Sequence, residues 1–189
     1  PPFRADQVGS LLRPAALRDA RIRFKQGALS ADALKSAEDQ AIRDAVARQQ
    51  AVGLQSITDG EFRRDWWHLD YLDGFDGVTM QVNPGPKFKD TEEQPPIATV
   101  TGKVRHVKPH MVDHFSFLKS VTSRTAKMTI PSPSMLHLRG GRNAISRDAY
   151  PDLEEFWADV AAAYRASIRD FAAAGCTYLQ LDDVAFAYL

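Results

Sequence analysis

Gly53-Leu54-Gln55-Ser56-Ile57-Thr58-Asp59-Gly60-Glu61 and Gly175-Cys176-Thr177-Tyr178-Leu179-Gln180-Leu181-Asp182-Asp183 follow one plan. In each, a glycine closes a long helical pattern, a short apolar run follows, and acidic residues end it. Upstream of Gly53, Ser30 is a good N-cap, and Leu34, Ala37, Ala41, Ala45 and Val46 recur at helical spacing. Upstream of Gly175, a helix is expected from about Asp152, with Leu153, Phe156, Trp157, Val160, Tyr164, Ile168 and Phe171 on one stripe behind Pro151. Glycine suits the left-handed stop in both cases. The strands expected after them are Leu54 to Thr58 and Thr177 to Leu181.

Two further strands are expected, Asp6-Gln7-Val8-Gly9 and Lys127-Met128-Thr129-Ile130, the latter after a helical stretch near His110 to Ser120. Strands alternating with helices over short connections predict an α/β fold with a parallel sheet and right-handed crossovers. A complete TIM-type (β/α)8 barrel needs about 250 residues. The 189 residues therefore read as the N-terminal half of a single α/β-barrel domain, roughly its first four β/α units. An open doubly wound sheet fits the same pattern, and pattern alone does not separate the two. Between Asn83 and Pro109, the prolines Pro84, Pro86, Pro95, Pro96 and Pro109 flank Ile97-Ala98-Thr99-Val100-Thr101, which predicts a β-hairpin-like insertion around 78–107.

Composition narrows the function classes. Lys plus Arg and Asp plus Glu are 24 each, a zero formal charge that argues against nucleic acid or an anionic membrane surface as partner. No stretch approaches 18 apolar residues, and Pro1-Pro2-Phe3-Arg4-Ala5-Asp6 has no apolar leader core, so a cytoplasmic protein is expected. The single Cys176 excludes an internal disulfide and a Cys-rich zinc site built from these residues.

In α/β sheets of either kind, functional residues collect beyond the carboxyl ends of strands. Those ends carry Gly9-Ser10, Asp59-Gly60-Glu61, Pro131-Ser132-Pro133-Ser134 and Asp182-Asp183. Asp59 and Asp183, taken singly, read equally well as helix caps. Glu61 and Asp182 would face one mouth, where two carboxylates suit a substrate ammonium. Of Trp66 and Trp67, which point in different directions on any regular element, at least one is expected over a cleft or subunit contact. His68 reads as an acid, a base, a ligand or a hydrogen-bonded structural residue. His110 and His114 stand at i, i+4 but lack a zincin glutamate, so a helix surface explains them more simply. Arg139-Gly140-Gly141-Arg142 lacks a P-loop ending and reads as a flexible connection, and Cys176, before its strand, as a packing residue.

Val8-Gly9-Ser10-Leu11-Leu12-Arg13-Pro14, Thr58-Asp59-Gly60-Glu61-Phe62-Arg63-Arg64 with Trp66-Trp67-His68-Leu69-Asp70, Ile130-Pro131-Ser132-Pro133-Ser134 and Leu179-Gln180-Leu181-Asp182-Asp183 together resemble the cobalamin-independent methionine synthase family. The likeness is to the shorter proteins resembling its C-terminal catalytic domain, and the motifs span the chain in the family's order. The resemblance implies a barrel in which zinc binds a thiol amino acid, homocysteine in the synthases, and methyltetrahydrofolate donates the methyl group. By motif, Gly9 and Ser10 would contact the amino acid, Glu61 and Asp182 would bind its ammonium, and Asp59, Trp66, His68, Pro133 and Ser134 would line the site. The synthases usually carry His-Gly-Glu and Asp-Glu-Pro where this chain has Asp59-Gly60-Glu61 and Asp182-Asp183-Val184. The family's zinc ligands, a His-x-Cys pair, an acidic residue and a last Cys, belong to the barrel's second half. Metal ligands are thus expected outside this chain, and the expected partner is that second half or a second copy covering the exposed strand edges. Alkyl transfer to another thiol, such as a coenzyme thiol, and a non-catalytic module descended from the barrel are the alternatives.

Overall fold

The computed structural model describes residues 6–83 and 94–184. In chain order its elements are α1 (Ala15–Lys25), α2 (Ala31–Ala51), β1 (Ser56–Ile57), α3 (Leu69–Leu72), β2 (Asp76–Gln81), β3 (Ile97–Arg105), α4 (Val112–Ser120), β4 (Thr125–Pro131), α5 (Met135–Leu138), a 3-10 turn (Gly141–Ala144), α6 (Leu153–Ala173) and β5 (Tyr178–Asp182). Both long helices form where their local signals put them. Ser30 Oγ accepts the Ala33 N–H at 3.2 Å, and Gly53 and Gly175 take the positive φ angles, 89° and 85°, that end α2 and α6.

The strands β1, β4 and β5 form one sheet in that order, with Ser56 opposite Thr125 and Ile57 opposite Ala126 in parallel register. It is an α/β fold with an open sheet, and no closed barrel is formed among the described residues. The chain packs as two compact units, Pro1–Arg64 with Asp113–Thr129 and Ala174–Gln180, and Asp65–Val112 with Ile130–Ala173 and Leu181–Leu189. Leu17, Ile42, Val46, Ile57, Phe62, Phe115 and Leu118 are buried in the first. In the second, Tyr71, Phe75, Tyr150, Phe156 and Tyr164 are buried, and the three tyrosines keep their hydroxyls satisfied. Tyr71 donates to Ser167 Oγ at 2.9 Å, and Tyr164 to the Pro131 carbonyl at 3.1 Å.

The expected strand at Asp6 to Gly9 does not form. Its carbonyls are taken by side chains: Lys127 donates to Gln7 O, Gln180 to Val8 O at 2.9 Å, and Thr58 to Gly9 O at 2.7 Å. Among the described residues one ladder contact remains there, the isolated parallel bridge of Ser10 with Gly60. Among the described residues the sheet thus has three strands where four were expected. The strand predicted at Leu54 to Thr58 shrinks to β1 for a similar reason. The Gln49 amide donates to Thr58 O at 2.8 Å and accepts its N–H at 2.9 Å, standing in for a strand partner.

The proline-rich excursion is an antiparallel pair, β2 with β3, Val78 opposite Val100. A bulge between Asp76 and Val78 needs Gly77, whose φ is 81° and where a Cβ would lie 2.3 Å from the Lys103 carbonyl oxygen. Pro84 and Pro86 lie outside the described residues. The segment Arg139 to Arg142, expected to be flexible, is instead tied down: Arg142 donates to Ile145 O at 2.8 Å and Tyr150 O at 2.5 Å.

Candidate functional site

The Asp59-Gly60-Glu61 turn, in the first unit, is built around a backbone that side-chain residues seldom adopt. Glu61 has φ of 60°, in the left-handed region, after Gly60 at 69°. Such a residue costs of order 1 kcal/mol or more, so its surroundings must hold it. Asp59 Oδ1 accepts the Glu61 N–H at 2.9 Å, an Asx turn, and Arg13 donates to the Glu61 carbonyl at 3.0 Å and to the Arg64 carbonyl. Leu11 N–H donates to Gly60 O at 3.1 Å.

The Glu61 carboxylate is only 5% exposed, so it must be paired. Its Oε1 accepts from Thr129 Oγ1 at 2.7 Å and from the Arg64 guanidinium at 3.3 Å. Arg64, 1% exposed, also donates to the Thr129 carbonyl at 2.6 Å. Gly9 packs on the same threonine, where a Cβ would come within 2.5 Å of Thr129 Cγ2. The adjacent Arg63 reaches elsewhere, to Glu38 Oε2 at 3.3 Å and to Asp39, and ties the turn to α2. Burial raises the Glu38 carboxyl more than Arg21 and Arg63 lower it.

The structure therefore brings Gly9, Ser10, Asp59 and Glu61 together, with Ser10 exposed and the other three buried. Sequence reasoning missed three members of this cluster: Arg13, Arg64 and Thr129. Both arginines stand inside the recognised motifs, but nothing local distinguishes a buried guanidinium from a solvated one.

Asp182 lies in the second unit, at the end of β5. Its carbonyl accepts the Ser132 N–H at 3.0 Å. Ser132 and Ser134 share a hydroxyl hydrogen bond of 2.6 Å, and Ser134 Oγ donates to Asp183 Oδ1 at 3.3 Å. So Asp182, Asp183, Pro133 and Ser134 form one neighbourhood; a helix capped by Asp183 would fall outside the described residues. Trp66 and Trp67 are both half-buried, and the Trp66 N–H is held by Asp70 at 2.8 Å. His68 is 5% exposed, with its ring 4.6 Å from that of Trp67. Burial, helped by the Arg139 charge, pushes its pKa down to about 4, so it is neutral at physiological pH. With Leu69, Ile97, Met135 and Leu136 it lines a cavity of about 10 Å³, the room of one water.

His110 is not on a helix surface. It precedes α4, its ring 4.7 Å from Tyr71 and 4.9 Å from Phe75, and burial pushes its pKa down to about 4. Among the described residues no three His, Cys, Asp or Glu side chains converge on a point that a metal ion could occupy. Burial also raises the Cys176 thiol, whose sulfur contacts the Tyr178 carbonyl at 3.4 Å, a packing role. These residues do not fit the implied zinc.

The family described as the catalytic domain of cobalamin-independent synthase matches residues 3–188. The chain belongs to this synthase family. It is 42% identical to the uncharacterized protein YxjH of Bacillus subtilis (strain 168) over 188 residues, 98% of this chain and 49% of that protein. A methionine synthase of Sulfurisphaera tokodaii is 27% identical over 179 residues, 94% of this chain and 51% of that one. Among solved structures, a Listeria monocytogenes protein described as a candidate vitamin-B12-independent methionine synthase superposes with a TM-score of 0.82 at 40% identity, covering 99% of this chain and 54% of its own. This synthase-family chain thus spans about half the length of the relatives it matches. Among its described residues no helix is long and apolar enough to cross a membrane.

Proposed function

We propose that this chain supplies the amino-acid-binding side of a zinc-dependent thiol methyltransferase, the zinc being held by ligands outside residues 1–189. In this reading the sheet is the first part of a TIM-type barrel, completed by a second half or a second copy. Homocysteine is the acceptor and methyltetrahydrofolate the donor: the methyl group leaves the donor nitrogen for sulfur, the thiol proton ends on the donor, and the products are methionine and tetrahydrofolate. Glu61 and Asp182 accept hydrogen bonds from the substrate ammonium, and Gly9 and Ser10 contact it through backbone and hydroxyl. Asp59 holds the Glu61 turn, and Trp66, His68, Pro133 and Ser134 are assigned to the lining.

The observation that carries this reading is the buried Glu61 carboxylate, held in an unfavourable backbone conformation beside Gly9 by hydrogen bonds that converge on it. A strained, charged, buried residue persists where function selects it. The alternative acceptor is another small thiol, such as a coenzyme thiol. The deciding experiment incubates the intact protein with methyltetrahydrofolate and either homocysteine or a coenzyme thiol, with product detection by mass spectrometry. Methionine formation, abolished by a zinc chelator and restored by zinc, is expected. Methylation of the coenzyme thiol alone would replace the acceptor, and no methylated product with either thiol would refute the methyltransferase reading.

A further inference from the structure

We infer that Arg64 is a positioning residue for Glu61, acting with Thr129 to aim its carboxylate, and so governing recognition of a ligand's ammonium group. The inference rests on the amino-acid-binding reading above. Its basis is a closed triangle of hydrogen bonds. The Thr129 hydroxyl has one proton, and that proton goes to Glu61 Oε1 at 2.7 Å. Its lone pair is then available to accept, and Arg64 donates to it at 3.3 Å while donating to Glu61 Oε1 at 3.3 Å. Arg64 also donates to the Thr129 carbonyl at 2.6 Å, which fixes the guanidinium against β4. Each member orients the other two.

Electrostatics gives the triangle its purpose. A carboxylate as buried as Glu61 must be matched by donors aimed at its oxygens. Thr129 and Arg64 put two donors on one oxygen, and the cationic one makes the stronger kind of hydrogen bond. Other charged groups of this neighbourhood include Asp59, which accepts the Glu61 N–H; Arg13, which donates to the carbonyls of Glu61 and Arg64; and His114 of α4, which burial holds toward the neutral form and which interacts with Asp113, Asp59, Arg63 and Arg64. Arg64 is a cation hydrogen-bonded to the Glu61 side chain. It touches no reacting atom in this account and acts only through Glu61.

The test is calorimetric titration of homocysteine and of its amino-free analogue mercaptobutanoate into the intact wild-type protein and into Arg64→Met, Arg64→Lys, Thr129→Val and Glu61→Gln. Arg64→Met is expected to weaken homocysteine about tenfold or more and mercaptobutanoate less than about twofold, because only the first carries the ammonium. Arg64→Lys, which keeps the charge without the fork, is expected to recover part of the loss. Thr129→Val, isosteric and without the hydroxyl, should show a smaller loss confined to homocysteine, and it carries the test should Arg64→Met fail to fold. Equal weakening of both thiols by Arg64→Met and by Thr129→Val would mean a merely structural role and overturn the inference. So would unchanged affinities in both while Glu61→Gln weakens homocysteine, a result that leaves the amino-acid-binding reading standing. If Glu61→Gln itself changes nothing, that reading falls and the inference with it.

Discussion

Replacing Gly9 by alanine probes how tightly the site is assembled. Gly9 has φ of 123°, where an added side chain is strained, and its new Cβ would sit 2.5 Å from Thr129 Cγ2, 3.1 Å from Oγ1 and 3.3 Å from Cβ. The backbone contribution is about 1–2 kcal/mol and the overlap about 1–3 kcal/mol more. Thr129 is β-branched on a strand, so rotating its side chain away would also withdraw its hydroxyl from Glu61. Thr129→Ser removes Cγ2 and keeps the hydroxyl. Gly9→Ala is therefore expected to destabilise the wild type by about 2–5 kcal/mol but the Thr129→Ser background by only about 1–2 kcal/mol, a coupling of about 1–3 kcal/mol. Urea unfolding of the intact protein measures it, from midpoint shifts at a common slope. Homocysteine affinity should fall in Gly9→Ala and partly return in the double variant. A Gly9→Ala cost equal in both backgrounds would refute the packing of Gly9 on Thr129.

Acid should destabilise the fold through its buried histidines. His68 and His110 are pushed from the ordinary 6.5 to about 4, so the fold favours their neutral forms. Their contribution is complete above pH 6.5 and is lost as pH falls through 4, at about 3 kcal/mol each. His68→Gln should flatten that part of the urea-midpoint profile between pH 7 and 4, and an unchanged slope would contradict the assignment. Tyr71→Phe removes the donor to Ser167 and is expected to cost about 1–2 kcal/mol, most of it recovered when Ser167→Ala is added; additive losses in a thermal or urea cycle would count against the bond.

Local chemistry was readable in the sequence. Ser30, Gly53 and Gly175 mark helix ends because caps act within one turn, and the prolines around Ile97 gave the hairpin because they forbid a helix there. What depended on tertiary partners was not readable. Asp6 to Gly9 has strand-like residues, but side chains far away in sequence occupy its carbonyls. Pro14 opens α1, a helix whose stripe is too polar to stand out. Arg64 looks like a surface charge beside Arg63, and only the fold turns one to Glu38 on α2 and the other to Glu61. His110 and His114 share helical spacing, yet only His114 lies on the helix, since α4 begins at Val112.

The most direct test of the central claim is homocysteine titration into the intact wild type and its Asp182→Asn variant, with mercaptobutanoate as the amino-free control. The account predicts homocysteine binding weakened about tenfold or more by the lost charge, with mercaptobutanoate within about twofold. Equal homocysteine affinities in the two proteins would contradict the role of Asp182 in holding the ammonium.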